Sequence, residues 1–340
     1  MKIIGCDLHA AQQTIAMLDA ETGEIVEQTL KHEAGTVREF YAALPAPVVV
    51  GLEATGSMGW FLQLLDELGI TYRVGHPATI RKAETRRQKH DRRDAALLLQ
   101  LLTENRFPAI WIPSTDLRDL RALLLHRHQW VRLRTRVQNA LHAIVLGYGV
   151  QRGHALWNRD GQAMLAALPL SPHAAHRRNE LQALYQQLDE QVDRLDERVK
   201  VAATQRPRAT ELMTHPGVGH VTALATEVFL GDPSRFADGK ALASYVGMIP
   251  SEYSSGPRQR LGGLSKQGNP LLRFLWGEAA MHAVRRDLEL QRFYRRKLHQ
   301  KGLGKARMAA ARKLGIRLWI MLRDQIDYLE FCRRSPRRQS

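Results

Sequence analysis

Short apolar runs and alternating apolar and polar positions dominate the first third of the chain, which indicates strands with helices between them. The pattern predicts strands at residues 1–7, 14–18, 24–30, 48–53 and 70–74. It predicts helices at residues 37–44, 59–68, 78–88 and 91–103. Three early strands followed by alternating helix and strand predict a three-layer ribonuclease-H-like α/β domain over residues 1–110. A nucleotide-binding doubly wound sheet is the alternative, but its glycine-rich first turn is missing.

Helical periodicity begins near residue 113. Apolar positions spaced by seven over 123–144, and by three and four over 181–199, predict two long helices with coiled-coil spacing. The first is basic on its exposed positions and the second is acidic, which favours an antiparallel hairpin over residues 111–205. We expect the irregular segment 147–176 to reverse the chain. Two uses stay open, a spacer for dimerisation and a hairpin inside one protomer.

Residues 206–340 are predicted to form a mainly helical third domain with a helix-hairpin-helix-like turn. The sequence His215-Pro216-Gly217-Val218-Gly219 precedes an apolar helix at 221–230. A Pro-Gly-x-Gly turn can present backbone N–H groups to a phosphate, which makes Gly217 and Gly219 candidate nucleic-acid contacts. An ordinary helix–helix turn is the other interpretation.

Charge narrows the class of partner. The 340 residues contain 50 Lys and Arg against 34 Asp and Glu, a net charge of +16. This balance favours a polyanion, with nucleic acid ahead of a membrane surface, and no apolar stretch approaches the ~20 residues that span a bilayer. Residues 291–340 hold fifteen Lys and Arg against three acids, which predicts a phosphate-contacting tail. Two cysteines form neither a disulfide framework nor a zinc site, so we expect a cytoplasmic protein.

Four carboxylates occupy positions where an α/β domain could gather them. Asp7 and Glu53 end two predicted strands, and Asp91 and Asp94 lie three apart in the first turn of a helix. If these elements meet, the carboxylates could hold Mg²⁺ or Mn²⁺ over a phosphodiester. Alternatively Asp91 caps the helix and Asp94 is a surface charge. Two flanking arginines could bind phosphate or balance charge: Arg92 and Arg93.

Several stretches, in this order, resemble the transposases of the IS110/IS1111 family. The resemblance covers nearly the whole chain through the runs at 1–7, 51–56, 90–95, 215–219, 245–250, 255–256 and 266–273. It implies a RuvC-like domain whose Asp-Glu-Asp-Asp set falls on Asp7, Glu53, Asp91 and Asp94. A coiled-coil insert and a C-terminal transposase domain would follow.

The resemblance also implies a nucleophilic serine at Ser255, with Ser254 adjacent, and a phosphoserine intermediate in DNA cleavage and rejoining. Residues expected to contact phosphate or nucleic acid nearby are Arg258, Arg260, Lys266 and Arg273. The family further implies a structured non-coding guide RNA. It also implies a homo-oligomer in which the metal domain of one protomer meets the serine domain of another.

Two other functions remain open from the residues themselves. A RuvC-like structure-selective endonuclease would use the same carboxylates with metal-activated water, which leaves Ser255 without a role. A non-catalytic nucleic-acid-binding protein would explain the charge but leave the four acids unexplained.

Overall fold

The structure is a computed structural model that describes residues 1–33, 35–83, 91–151, 156–252 and 260–334, and only the backbone of Asp91. The chain forms two compact units, Met1–Thr115 and Asp116–Ser340. The long helical hairpin belongs to the second unit. The division into 1–110, 111–205 and 206–340 stays a prediction.

A five-stranded mixed sheet organises the first unit. Its strand order is β3-β2-β1-β4-β5, with β1 antiparallel to β2 and parallel to β4. This arrangement is consistent with the expected ribonuclease-H-like architecture. The elements are β1 (Lys2–Leu8), β2 (Gln12–Asp19), β3 (Ile25–Lys31), α1 (Thr36–Ala42), β4 (Val48–Glu53), α2 (Gly59–Glu67), β5 (Thr71–Gly75), α3 (Pro77–Ala83) and α4 (Asp91–Thr103).

Helices pack on both faces of this sheet because side chains alternate along each strand. Ile4 and Cys6 of β1 point into one core with α1 and α2, where Tyr41 and Phe61 are fully buried. Ile3, one residue away, packs with α4 on the opposite face. The odd-numbered positions of β1 therefore face α4.

The second unit is mainly helical. Its elements are α5 (Thr115–Gly147), α6 (Arg159–Ala167), α7 (Pro172–Thr204), α8 (Pro207–Met213), α9 (His220–Leu230), α10 (Gly239–Tyr245), β6 (Pro250–Glu252), β7 (Leu261–Leu264), α11 (Pro270–Ala283), α12 (Leu288–Lys301), α13 (Leu303–Asp324) and α14 (Tyr328–Arg334).

Ion pairs join α5 and α7 in antiparallel order. The Arg127 guanidinium is 2.5 Å from Asp196, and Arg134 is 2.5 Å from Asp189, so the earlier residue on α5 meets the later residue on α7. The expectation of an irregular segment 147–176 was wrong in part, because α6 forms within it and packs on the hairpin through Leu165.

The core of the second unit surrounds α9, which is mostly apolar and is buried on all sides from Thr222 to Leu230. The Trp276 indole donates a hydrogen bond to Thr226 at 2.9 Å, and its ring occupies the space left by the missing side chain of Gly315. Among the helices that the structure describes, no helix is both long and apolar enough to cross a membrane.

Candidate active site

The carboxyl ends of β1 and β4 lie side by side in the first unit. The two strands are parallel, with Gly5 paired to Gly51 and Cys6 to Leu52. Asp7 and Glu53 are the next residues on their strands. Because Cys6 and Leu52 face the α1 and α2 side of the sheet, strand alternation turns Asp7 and Glu53 toward α4.

Two glycines let α4 lie directly on these strands. A Cβ at Gly5 would overlap the backbone of Ala95, and a Cβ at Gly51 would come within 2.6 Å of the Leu102 side chain. At position 5 the obstacle is backbone, so only a residue without a side chain permits the approach there. The close seating brings the first turn of α4, which carries Asp94, to the carboxyl ends of the strands.

Asp7, Glu53 and Asp94 line one cavity of about 170 Å³. The cavity is therefore built by β1, β4 and α4, the three elements that the sequence pattern singled out. Its other lining residues are Leu8, His9, Thr55, Ile80, Arg81, Leu97 and Leu98.

The donor chemistry of this cavity fits a hydrated divalent cation. Within the described residues, neither Glu53 nor Asp94 has a hydrogen-bonded or ion-paired partner, and the buried Thr55 hydroxyl has none either. Yet no group of three or more His, Cys, Asp and Glu side chains in that part of the chain is arranged to hold a metal ion. Mg²⁺ commonly binds through one or two carboxylates and keeps several waters, so two of these acids could suffice.

The structure adds three cavity residues that the sequence analysis missed. The His9 ring nitrogen Nε2 is 3.1 Å from the Asp7 carboxylate. Thr55 follows Glu53 by two positions, as His9 follows Asp7, and residues two apart on an extended chain share a face. That spacing was the available signal for both. Arg81 belongs to α3, and no sequence spacing relates it to the acids.

Three further residues were predicted for the N-terminal site, and the structure describes the side chains of two of them. Asp91 begins α4, but its side chain lies outside the described residues. Arg92 and Arg93 are exposed on the same helix, and neither lines the carboxylate cavity.

The segment predicted to carry the nucleophile is flanked by two strands. β6 and β7 pair antiparallel, and Ser254, Ser255 and Arg258 fall between them in sequence, outside the described residues. Arg260 is exposed just before β7.

Two motifs that flank this segment meet through their backbones. A Cβ at Gly247 would overlap the Gln267 carbonyl, and a Cβ at Gly268 would overlap that of Tyr245. Both glycines have positive φ, 74° and 106°. The adjacent Lys266 is exposed, and its φ is also positive at 55°. The pairing explains why both motifs carry a glycine.

Arg273 has an intramolecular partner. Its guanidinium donates to the Val246 carbonyl oxygen at 2.8 Å, one residue before Gly247. Arg273 lies on the first turns of α11, whose start is capped by Asn269. This hydrogen bond therefore links the start of α11 to the segment that ends at Gly247. The sequence did not indicate this structural role for Arg273.

The Pro-Gly-x-Gly turn joins α8 to α9. Gly217 has φ 83°, and a Cβ there would come within 2.5 Å of the Ala283 nitrogen, so the turn packs on the end of α11. Gly219 precedes α9 without a side-chain cap, and no atom would obstruct a Cβ there.

Acidic residues within the second unit pair with several of the basic residues near the C-terminus. Arg317 is the most buried case, with its side chain only 5% exposed beside Asp287. The pairs are Arg307–Glu278, Lys313–Glu289, Arg317–Asp287, Arg323–Asp324 and Arg334–Glu330. Exposed cations for which the described residues provide no acidic partner include three on α12: Arg292, Arg295 and Arg296.

Comparison with known proteins finds the same class of protein in both halves of the chain. A family model for the DEDD transposase domain of IS110, described as "Transposase", matches residues 4–150. A second, described as "Transposase IS116/IS110/IS902 family", matches residues 209–295.

Similar sequences are found along most of the chain. A probable family 20 transposase of Pseudomonas aeruginosa is 28% identical over 83% of this chain and 84% of its own length. The transposase for insertion sequence element IS1111A of Coxiella burnetii is 26% identical over 96% of this chain and 91% of its own. A pilin gene-inverting protein of Moraxella lacunata is 30% identical over 66% of this chain and 62% of its own.

Proposed function

The chain belongs to the IS110/IS1111 family of transposases, and we propose that it cuts and rejoins DNA with a carboxylate-bound divalent metal and a serine nucleophile. The carboxylates are those of Asp7, Glu53, Asp91 and Asp94, in a RuvC-like domain. The nucleophile is Ser255. The observation that carries the proposal is the single cavity lined by Asp7, Glu53 and Asp94.

The arrangement of that cavity suits phosphoryl transfer. Three carboxylates from two strand ends and one helix lie around an open space, and the described residues give two of them no cationic partner. A carboxylate that is partly removed from water lowers the stability of the fold unless a cation lies beside it. A bound Mg²⁺ or Mn²⁺ would supply that charge and stabilise the negative charge that develops on phosphate oxygens.

Two lining residues have roles that this function predicts. Arg81 brings a cation to the rim, where a guanidinium can bind the phosphate backbone of the substrate. His9, in contact with the Asp7 carboxylate, orients it toward the cavity.

Ser255 would attack the scissile phosphorus. As the bond from its Oγ to phosphorus forms, the bond from phosphorus to a bridging oxygen breaks. The Oγ proton passes to solvent, and the departing oxygen takes a proton in return. The phosphoserine keeps the phosphodiester bond energy, so a hydroxyl of another strand can later attack it and release the serine. Arg260 and Lys266, both exposed next to this segment, would neutralise the phosphate.

A structured guide RNA and a homo-oligomer complete the proposal. The net charge of +16 favours a polyanionic partner, a requirement that RNA and DNA meet equally. RNA that copurifies with the protein, and whose removal by ribonuclease abolishes strand exchange, would support the guide. Light scattering of the purified protein would measure the subunit count.

Trapping of a covalent adduct tests the proposed chemistry. Purified protein is incubated with labelled element ends, RNA and Mg²⁺, then denatured and resolved by electrophoresis. We expect a labelled protein–DNA adduct from the wild type and from Ser254→Ala, and none from Ser255→Ala. Asp94→Asn should form no adduct either, because its cavity loses a carboxylate.

The same gel separates recombination from hydrolysis. Free cut ends from Ser255→Ala at the wild-type rate would mean that metal-activated water is the nucleophile, and the serine mechanism would be wrong. An adduct that persists in Ser255→Ala but disappears in Ser254→Ala would move the nucleophile by one residue.

A further inference from the structure

A second cavity, of about 230 Å³, lies beside the Pro-Gly-x-Gly turn of the second unit. It is lined by Gly217, His282, Arg285 and Arg286. The packing of Gly217 on α11 explains this combination, because Ala279 and Ala283, which contact the glycine, lie one turn or less from His282. The turn backbone and three basic side chains thus surround one space.

These basic side chains are available to a ligand. His282, Arg285 and Arg286 are all exposed, and the described residues give none of them a hydrogen-bonded or ion-paired side-chain partner. The next acid, Asp287, is buried and engaged by Arg317 and by the Tyr328 hydroxyl. It is therefore not available to neutralise the two arginines.

The helix dipole explains only part of the positive charge around this cavity. Cations near the last turn of a helix are stabilised by its carbonyl end, which suits His282 in the last turn of α11. Arg285 and Arg286 lie beyond Val284, the C-cap residue of the helix, so the dipole does not explain their position. Both side chains line the cavity.

The opposite side of the turn is unsuitable for an anion. The start of α9 at Gly219 and His220 lines a separate cavity of about 410 Å³, which the hairpin helix α7 also lines. The acids that α7 places there are Asp193, Asp196 and Glu197; Arg127 and Lys200 pair with the last two, and Asp193 leaves the lining with a net negative charge. A phosphate at this helix N-terminus would meet carboxylates, which oppose its charge. Of the two glycines expected to contact nucleic acid, Gly217 lies on the basic side and Gly219 on the acidic side.

We propose that Gly217, His282, Arg285 and Arg286 form a binding site for the sugar–phosphate backbone of a nucleic acid. Guanidinium groups bind phosphate oxygens through paired N–H donors, and the packing of Gly217 on α11 places the backbone of the turn beside both arginines. Contacts of this kind hold the strand in register without recognising its bases. The site rests on the proposed function only in taking a nucleic acid as ligand.

Binding measurements on the full-length protein test the site. The affinities of Arg285→Gln/Arg286→Gln and of the wild type are measured by fluorescence anisotropy over a series of salt concentrations. The probes are a labelled duplex of the element end, a scrambled duplex of equal length and a single-stranded RNA. Because each phosphate contact contributes about one to the slope of log affinity against log salt, the slope should fall by about two. The affinity loss should be the same for both duplexes.

A matched variant controls for the loss of charge. Arg177→Gln/Arg198→Gln removes two exposed arginines from α7, for which the described residues also provide no acidic partner. We expect its slope to equal that of the wild type. Equal effects of the two double variants, or an unchanged slope in Arg285→Gln/Arg286→Gln, would overturn the site.

The remaining outcomes identify the strand and separate this site from the catalytic proposal. A slope change with the duplexes assigns the site to DNA, and a change with the RNA alone assigns it to RNA. Both support a backbone site. Since binding is measured without cleavage, failure of the Ser255 adduct would leave this result standing. Equal unfolding midpoints would show that the variants are folded.

Discussion

Gly5 of β1 lies against the backbone of Ala95 in α4, so close that a side-chain carbon at position 5 would overlap the Ala95 carbonyl oxygen. The strand and the helix therefore meet through main-chain atoms. This contact fixes the height of α4 above the sheet. The carboxylate cavity depends on it, because Asp94 is one residue before Ala95.

Gly5→Ala should destabilise the first unit. The added methyl would overlap backbone atoms of Ala95 and Leu99 in α4, and overpacking of this kind costs about 1–3 kcal/mol. Urea unfolding measures the loss. Gly59→Ala is the control, since a Cβ there meets no atom within 4 Å, and its stability should be unchanged or raised. We also expect Gly5→Ala to lose strand cleavage beyond its loss of stability.

Asp94→Asn should separate metal binding from folding. Without metal, removing one of three carboxylates around the cavity should raise the free energy of unfolding by about 1 kcal/mol or less, the scale of a partly exposed charge interaction. With Mn²⁺, the wild type should gain thermal stability by mass action, and the variant should not. Glu24→Gln, an exposed acid of the same unit, should respond like the wild type. Equal stabilisation of all three proteins would contradict a metal site that includes Asp94.

His215 is held neutral inside the second unit. Its side chain is buried against Tyr328, with ring centroids 4.4 Å apart, and its Nδ1 donates to the Pro216 carbonyl at 2.9 Å. Nε2 is buried without a partner among the described residues. Burial lowers the pKa of the imidazole to about 4, although the Pro216 carbonyl opposes the shift; Arg317 adds to it.

His215 should make the second unit less stable in mild acid. Between its ordinary pKa near 6.5 and its folded pKa near 4, the unfolded chain binds a proton that the folded chain does not. Stability is then fully present above pH 6.5 and falls toward pH 4, by up to about 3 kcal/mol. His215→Asn should be less stable at neutral pH but lack this part of the pH dependence. The exposed-residue variant His173→Gln should keep it. Identical slopes in His215→Asn and the wild type would refute the effect.

Arg273 offers a test between a structural and a nucleic-acid role. Its hydrogen bond to Val246 predicts that Arg273→Met lowers the free energy of unfolding by about 1.5–3 kcal/mol. The salt dependence of DNA affinity should stay as in the wild type. A slope lower by about one with unchanged stability would instead make Arg273 a phosphate contact.

Local periodicity in the sequence was sufficient to predict many of the strands and helices. The predicted strand 48–53 and helix 91–103 have the bounds of β4 and α4, because alternation and helical spacing are properties of neighbouring residues. It was not sufficient at 147–176, where the small and polar residues around α6 carry a weak helical signal that packing on the hairpin stabilises.

By itself, the sequence determined the candidate acids Asp7, Glu53 and Asp94, the family, and the basic character of the chain. Only the tertiary structure shows that α4 packs directly on Gly5 and Gly51, and that Arg81 lines the same cavity as the acids. Only the tertiary structure shows which lysines and arginines form internal ion pairs. The physical reason is the range of the interactions. Hydrogen bonding and alternation within an element depend on adjacent residues, whereas a cavity depends on strand register and helix seating, which distant parts of the chain fix together.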